Sequence, residues 1–139
     1  MKENYIDEYL KEKLTEYKII HDKIIDGGCS NKRPDWLIDM LTHTVIIEND
    51  EEQHKNYDCE NKRLMQLFED LGNRPLVMIR FNCDKYKEHE ACFKFSDKNI
   101  ISSTGEWDLR KVELLDRIKY HCETVPEKEV ELEYLYYDD

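Results

Sequence analysis

Two short runs, residues 33–39 (RPDWLID) and 44–50 (TVIIEND), are separated by residues 40–43 alone. Both are rich in the β-branched and aromatic residues that suit strands, and so short a connection joins antiparallel neighbours in a hairpin. Opposed residues in a hairpin have numbers with a constant sum, and a turn centred between Leu41 and Thr42 sets that sum at 83. Asp35 then faces Glu48, Leu37 faces Ile46 and Asp39 faces Thr44, while Trp36 and Ile47 share the other face. Glu48 and Asp50, two apart on one strand, project to the same side. The pattern therefore predicts three carboxylates converging on one face.

Opposed Cβ atoms in such a pair lie about 4.5–5.5 Å apart, and like charges there are destabilising unless something compensates. A hard cation such as Mg²⁺, with Mn²⁺ as a substitute, is the natural compensation for Asp35, Glu48 and Asp50, and it can place a water against a phosphodiester. Gln53 and His54 follow within one helical turn of Asp50 and are candidates to hold or deprotonate that water. Arg33, Arg63 and Arg80 are candidate clamps for phosphate oxygens. The competing reading leaves the acids solvated and apart, His54 as a surface histidine and each Arg paired with a neighbouring acid.

The rest of the chain supplies a frame for this hairpin. Residues 3–16 carry Tyr5, Ile6, Tyr9, Leu10 and Leu14 at helical spacing, and residues 17–25 (YKIIHDKII) read as a strand ended by Asp26-Gly27-Gly28. After the hairpin, an apolar stripe of Tyr57, Leu64, Leu67, Phe68 and Leu71 predicts a helix that starts between residues 52 and 58 and ends at Leu71, with Gly72 just beyond it. Residues 76–81 (LVMIRF) read as a buried strand. Beyond Asn82 a polar stretch reads as a loop, followed by a helix over 109–122 and a half-buried strand over 129–137. The expected fold is α/β, in the order α-β-β-β-α-β with a mixed sheet and a C-terminal helix and strand. At 139 residues this is read as one domain, 1–139, with a core of about 3–82 and an extension of about 83–139.

Composition narrows the function classes. No stretch approaches the roughly 20 apolar residues of a membrane span, and the polar N-terminus lacks a signal-peptide core. Five cysteines without a CxxC pair suit free thiols in a reducing compartment, cytoplasm or nucleus; zinc on Cys83, Cys92 and His89 is the weaker alternative. A net charge of −11 opposes a conventional nucleic-acid binder. Residues 123–139 hold seven acids against one base, however, whereas residues 31–81 hold ten against seven.

The runs RPDWLID, VIIENDEEQHKNYDCENKRLMQLFEDLGNRP and IRFN resemble the Vsr-like branch of the PD-(D/E)XK superfamily, in particular small nuclease-like domains of giant DNA viruses and some protists and algae. The resemblance spans residues 27–83. It implies a restriction-endonuclease-like core and a metal-dependent endonuclease acting on DNA, with Asp35 as the first metal-binding acid and Glu48 as the second. Position 50 holds Asp where the best-known motif has Lys, and Asn49 stands where relatives have an apolar residue. In Vsr-like relatives a His orients the water, which points to His54, and an acid on the first helix joins the site, for which Glu8 and Glu12 are candidates. The acidic balance and the missing Lys keep two other readings open: a non-cutting binding or assembly module, and a nuclease that depends on a basic partner protein. A homodimer through the acidic last strand is a further expectation.

Overall fold

The computed structural model describes residues 2–21, 34–50, 57–97 and 99–137, with backbone alone for residues 50, 57–61 and 101. Three helices, α1 (Lys2–Lys13), α2 (Tyr57–Asp70) and α3 (Gly105–Glu123), accompany seven strands: β1 (Ile19–His21), β2 (Trp36–Asp39), β3 (Thr44–Asp50), β4 (Leu76–Asn82), β5 (Phe93–Ser96), β6 (Asn99–Ser103) and β7 (Val130–Leu135). Five of the strands form a mixed sheet in the order β1-β2-β3-β4-β7, antiparallel up to β3 and parallel from there to β7. The chain is thus an α/β protein in the expected element order. The expected strand at 17–25 is described only as far as His21, and Arg33 lies outside the described residues.

The hairpin register is the predicted one: Trp36 pairs with Ile47, Leu37 with Ile46 and Asp39 with Thr44. Met40 N–H donates to His43 O at 2.9 Å, closing a turn whose centre is Leu41 and Thr42. Leu41 adopts φ 70, a left-handed conformation that costs a side-chain-bearing residue free energy. Asp39 compensates by accepting from Leu41 N–H at 2.8 Å and from Arg74, which also donates to Leu41 O.

Side-chain alternation divides the sheet into two faces. Ile6 and Leu10 of α1, Leu14 just beyond it, and Trp107, Leu114 and Ile118 of α3 pack on Trp36, Ile38, Val45, Ile47, Ile79 and Phe81. On the other face, Leu64, Leu67 and Phe68 of α2 cover Leu37, Ile46, Leu76 and Met78. Helix α2 ends where Gly72 takes φ +77 and Asn73 N–H reaches back to Phe68 O at 3.0 Å, a left-handed cap that favours glycine. None of the described helices is long and apolar enough to cross a membrane.

One expectation is corrected. The stretch beyond Asn82 is not all loop: β5 and β6 pair antiparallel as a separate ribbon. It is held because Phe93 packs into the core beside Trp107, and Thr104 donates its hydroxyl to Ala91 O at 2.7 Å. Helix α3 accordingly starts at Gly105, four residues before the expected 109.

Candidate active site

On the α2 face, the row Leu37, Ile46, Met78 and Leu132 crosses the sheet as continuous core. Two residues further along the same strands the character changes: Glu48 pairs with Arg80, and Arg80 with Tyr134. Asp35, just before β2, extends that polar row to a fourth strand. Apolar packing thus stops at one level of the sheet and ionisable groups begin at the next, where the hairpin opens toward its free ends.

Asp35 and Glu48 meet there. Asp35 accepts the Asn49 backbone N–H at 2.7 Å, and its carboxyl lies beside those of Glu3 and Glu48. Burial first, then the Glu48 charge and the Glu3 contact, push Asp35 up to about 9, against the pull of the Asn49 bond. Glu48 is buried, and burial raises it as well; the ion pair with Arg63 and the neighbouring charge of Arg80 oppose that rise. Two carboxyls so placed cannot both ionise freely, so the pair retains a proton when nothing else neutralises it.

The acid of α1 that comes near Asp35 is Glu3. Glu8 and Glu12 are exposed on α1, whereas Glu3 reaches both Asp35 and, at 3.0 Å, His21 Nε2. Glu3 and Asp7 continue the stripe of Ile6, Leu10 and Leu14 toward the helix N-terminus, but only the docking of α1 beside β2 brings Glu3 to Asp35. A charged residue on an apolar stripe marks a place where burial is compensated. Asp7 is 8% exposed, accepts the Trp36 indole N–H at 2.9 Å and pairs with Lys11.

Arg63 and Arg80 are turned inward on Glu48, and Arg80 is 5% exposed. The backbone of Asp50 pairs with Asn82, and its side chain lies outside the described residues, as do Gln53, His54 and Arg33. Among the described residues no three His, Cys, Asp or Glu side chains form a metal cage as placed. Among the described residues the zinc alternative finds no gathered ligands: Cys83 and Cys92 are buried in the core outside any disulfide, burial pushes Cys92 up to about 12, and His89 pairs with Glu106 at 2.7 Å. A cavity of about 300 Å³ lined by Tyr120, His121, Pro126 and Glu131 lies at the opposite end of the sheet, where β7 begins. It contains none of these acids. No known family model matches the chain, and no curated protein is significantly similar to it.

Proposed function

We propose that this chain is a divalent-metal-dependent DNA endonuclease with a PD-(D/E)XK core of the Vsr-like kind, hydrolysing phosphodiester bonds. The observation that carries the reading is the meeting of Asp35 and Glu48 at the open end of the β2–β3 hairpin, with Glu3 joining them from α1. An element order of helix, three strands, helix and strand around a mixed sheet supports the fold assignment. The sequence runs around Asp35 and Glu48 support the activity.

The donor types suit a hard ion, although Glu3, Asp35 and Glu48 as placed do not form a cage and would have to close on it. Carboxylate oxygens are the ligands that Mg²⁺ and Mn²⁺ prefer, and the three acids carry more negative charge than their surroundings tolerate, as the raised Asp35 shows. A divalent ion relieves what a proton otherwise relieves. Glu3, Asp35 and Glu48 would hold it, and the bound ion supplies Lewis-acid polarisation and a more acidic water.

The protein's own contributions follow from the contacts. The Asn49 N–H fixes the direction of the Asp35 carboxyl, and Arg63 and Arg80 favour the ionised, ligating form of Glu48. The apolar row beneath keeps bulk water from the buried side of the acids. Asp50 is proposed as a third or fourth ligand, with Gln53 and His54 orienting the attacking water. Arg33 is proposed to contact phosphate, and a phosphate contact by Arg63 or Arg80 would come in addition to their hold on Glu48.

The net charge of −11 favours one variant of this reading, in which a basic partner supplies affinity for DNA. Incubation with supercoiled plasmid and Mn²⁺ tests the activity, beside Glu48→Gln and with or without a basic partner. Nicked or linear product from the wild type and none from the variant is expected. Equal product from both, or none from the wild type under any of these conditions, overturns the proposal.

A further inference from the structure

His21 is absent from the acid cluster's own strands, yet it stands directly behind it. It pairs with Trp36 across β1 and β2, and its ring stacks on the Trp36 indole with centroids 5.3 Å apart and planes 10° from parallel. Trp36 is itself fully buried and tied to Asp7 through its N–H at 2.9 Å. His21 Nδ1 lies 3.5 Å from Asp7 Oδ1, and Nε2 lies 3.0 Å from Glu3 Oε2. A carboxylate only accepts, so the bond to ionised Glu3 requires a proton on Nε2. The imidazole is thus held by its face on Trp36, and its Nε2 is spent on Glu3.

Glu3 has need of such a hold. Its side chain is 35% exposed and lies in the first turn of α1, where a glutamate samples several rotamers. Asp35 is anchored by a backbone N–H and Glu48 by Arg63. Glu3, beyond its approach to Asp35, is bonded by His21 Nε2. Groups that hydrogen-bond a ligating carboxylate from behind set its direction and strengthen binding.

We propose that His21 is a positioning residue: locked on Trp36, it aims the Glu3 carboxylate at Asp35 and at the divalent ion proposed for that site. This rests on the metal-site reading above, and the ion is the probe that tests it. Mn²⁺ affinity of the full chain is measured by titration calorimetry for the wild type and for His21→Phe, His21→Gln, Glu3→Gln and Glu48→Gln. Phe keeps the stack on Trp36 and removes the donor; Gln places an amide N–H close to the position of Nε2.

The expected result is a loss of about 10-fold or more in Mn²⁺ affinity for His21→Phe, similar to that of Glu3→Gln, with most of it restored in His21→Gln. The double variant His21→Phe, Glu3→Gln binds no more weakly than Glu3→Gln alone, because both act through one carboxylate. If His21→Phe does not fold, His21→Asn replaces it, since an Asn amide mimics Nδ1 and falls short of Glu3. Wild-type affinity in His21→Phe or His21→Asn, with binding abolished in Glu48→Gln, overturns the role of His21 and leaves the metal site standing. No Mn²⁺ binding by the wild type overturns both.

Discussion

Replacing Asp35 by Asn separates what the residue does for the fold from what it is proposed to do for an ion. The amide keeps an oxygen to accept the Asn49 N–H, now 2.7 Å from Oδ2, and offers an N–H₂ to the neighbouring carboxylates. It removes a charge that burial, Glu48 and Glu3 make hard to hold, the reason Asp35 rises from 3.8 to about 9. A carboxyl raised in the folded state contributes fully below its unfolded value and loses that contribution as pH climbs toward its folded value. Each pH unit in the window is worth at most about 1.4 kcal/mol. Between about pH 5 and about pH 8 the wild type should lose up to about 4 kcal/mol from this group. Sharing of the proton with Glu48 and entry of water reduce the expected loss to about 1–3 kcal/mol. Urea unfolding in metal-free buffer, followed by tryptophan fluorescence, should therefore show Asp35→Asn gaining on the wild type as pH rises. Added Mg²⁺ should stabilise the wild type and leave the variant unmoved. A stability difference independent of pH, or a variant that is the weaker protein at the alkaline end, would refute the reasoning.

Three further outcomes are expected. Burial alone would raise Glu133, but hydrogen bonds from His121 and Arg117 outweigh it and draw the group down to about 2. Its contribution is therefore present above about 4.5 and lost as pH falls toward 2; Glu133→Gln should flatten the acid limb of the stability profile by about 1 kcal/mol, after discounting for partial exposure, and an unchanged limb contradicts this. Arg110, 1% exposed, donates to Asn82 O, Asp84 O and Glu90 O at 3.0, 2.7 and 2.9 Å. Arg110→Ala should cost about 3–5 kcal/mol in urea unfolding and speed amide exchange in residues 82–92 first, whereas a loss under about 1 kcal/mol is incompatible with that role. Leu41 is 80% exposed at φ 70, so Leu41→Gly should raise stability by about 0.5 kcal/mol; destabilisation would show that the turn carries no strain.

The hairpin was legible because a four-residue connection between two strand-like runs leaves little freedom of register, and once the sum of paired numbers is set, Asp35 and Glu48 must be neighbours. Gly72 and the apolar run of β4 were legible for similarly local reasons, a positive φ and a strand buried on both faces. Glu3 and His21 were not, because their meeting with Asp35 depends on how α1 and β1 dock on β2, which no local spacing encodes. The stripe of Tyr5, Ile6, Tyr9, Leu10 and Leu14 gave no reason to bury Asp7; burial of that charge is sustained by Trp36, His21 and Lys11, three partners at different distances along the chain. The β5–β6 ribbon was missed because much of it is exposed, with Phe93 buried in the core and Ile100 packed at its edge. Alternating Phe93 and Phe95, followed by the β-branched residues of β6, was the available signal. Arg63 and Arg80 read as outward clamps because a sequence shows their charge but not that both lie beside one buried glutamate.

The claim on which the account turns is that the Asp35–Glu48 pair is a cation site. Crystals soaked in Mn²⁺ and measured at the manganese edge decide it directly. The account predicts an anomalous peak at about 2.0–2.3 Å from oxygens of both Asp35 and Glu48, with the Glu3 carboxylate turned toward the same ion. A map without density between those two residues, in crystals whose other acids do bind manganese, would contradict it.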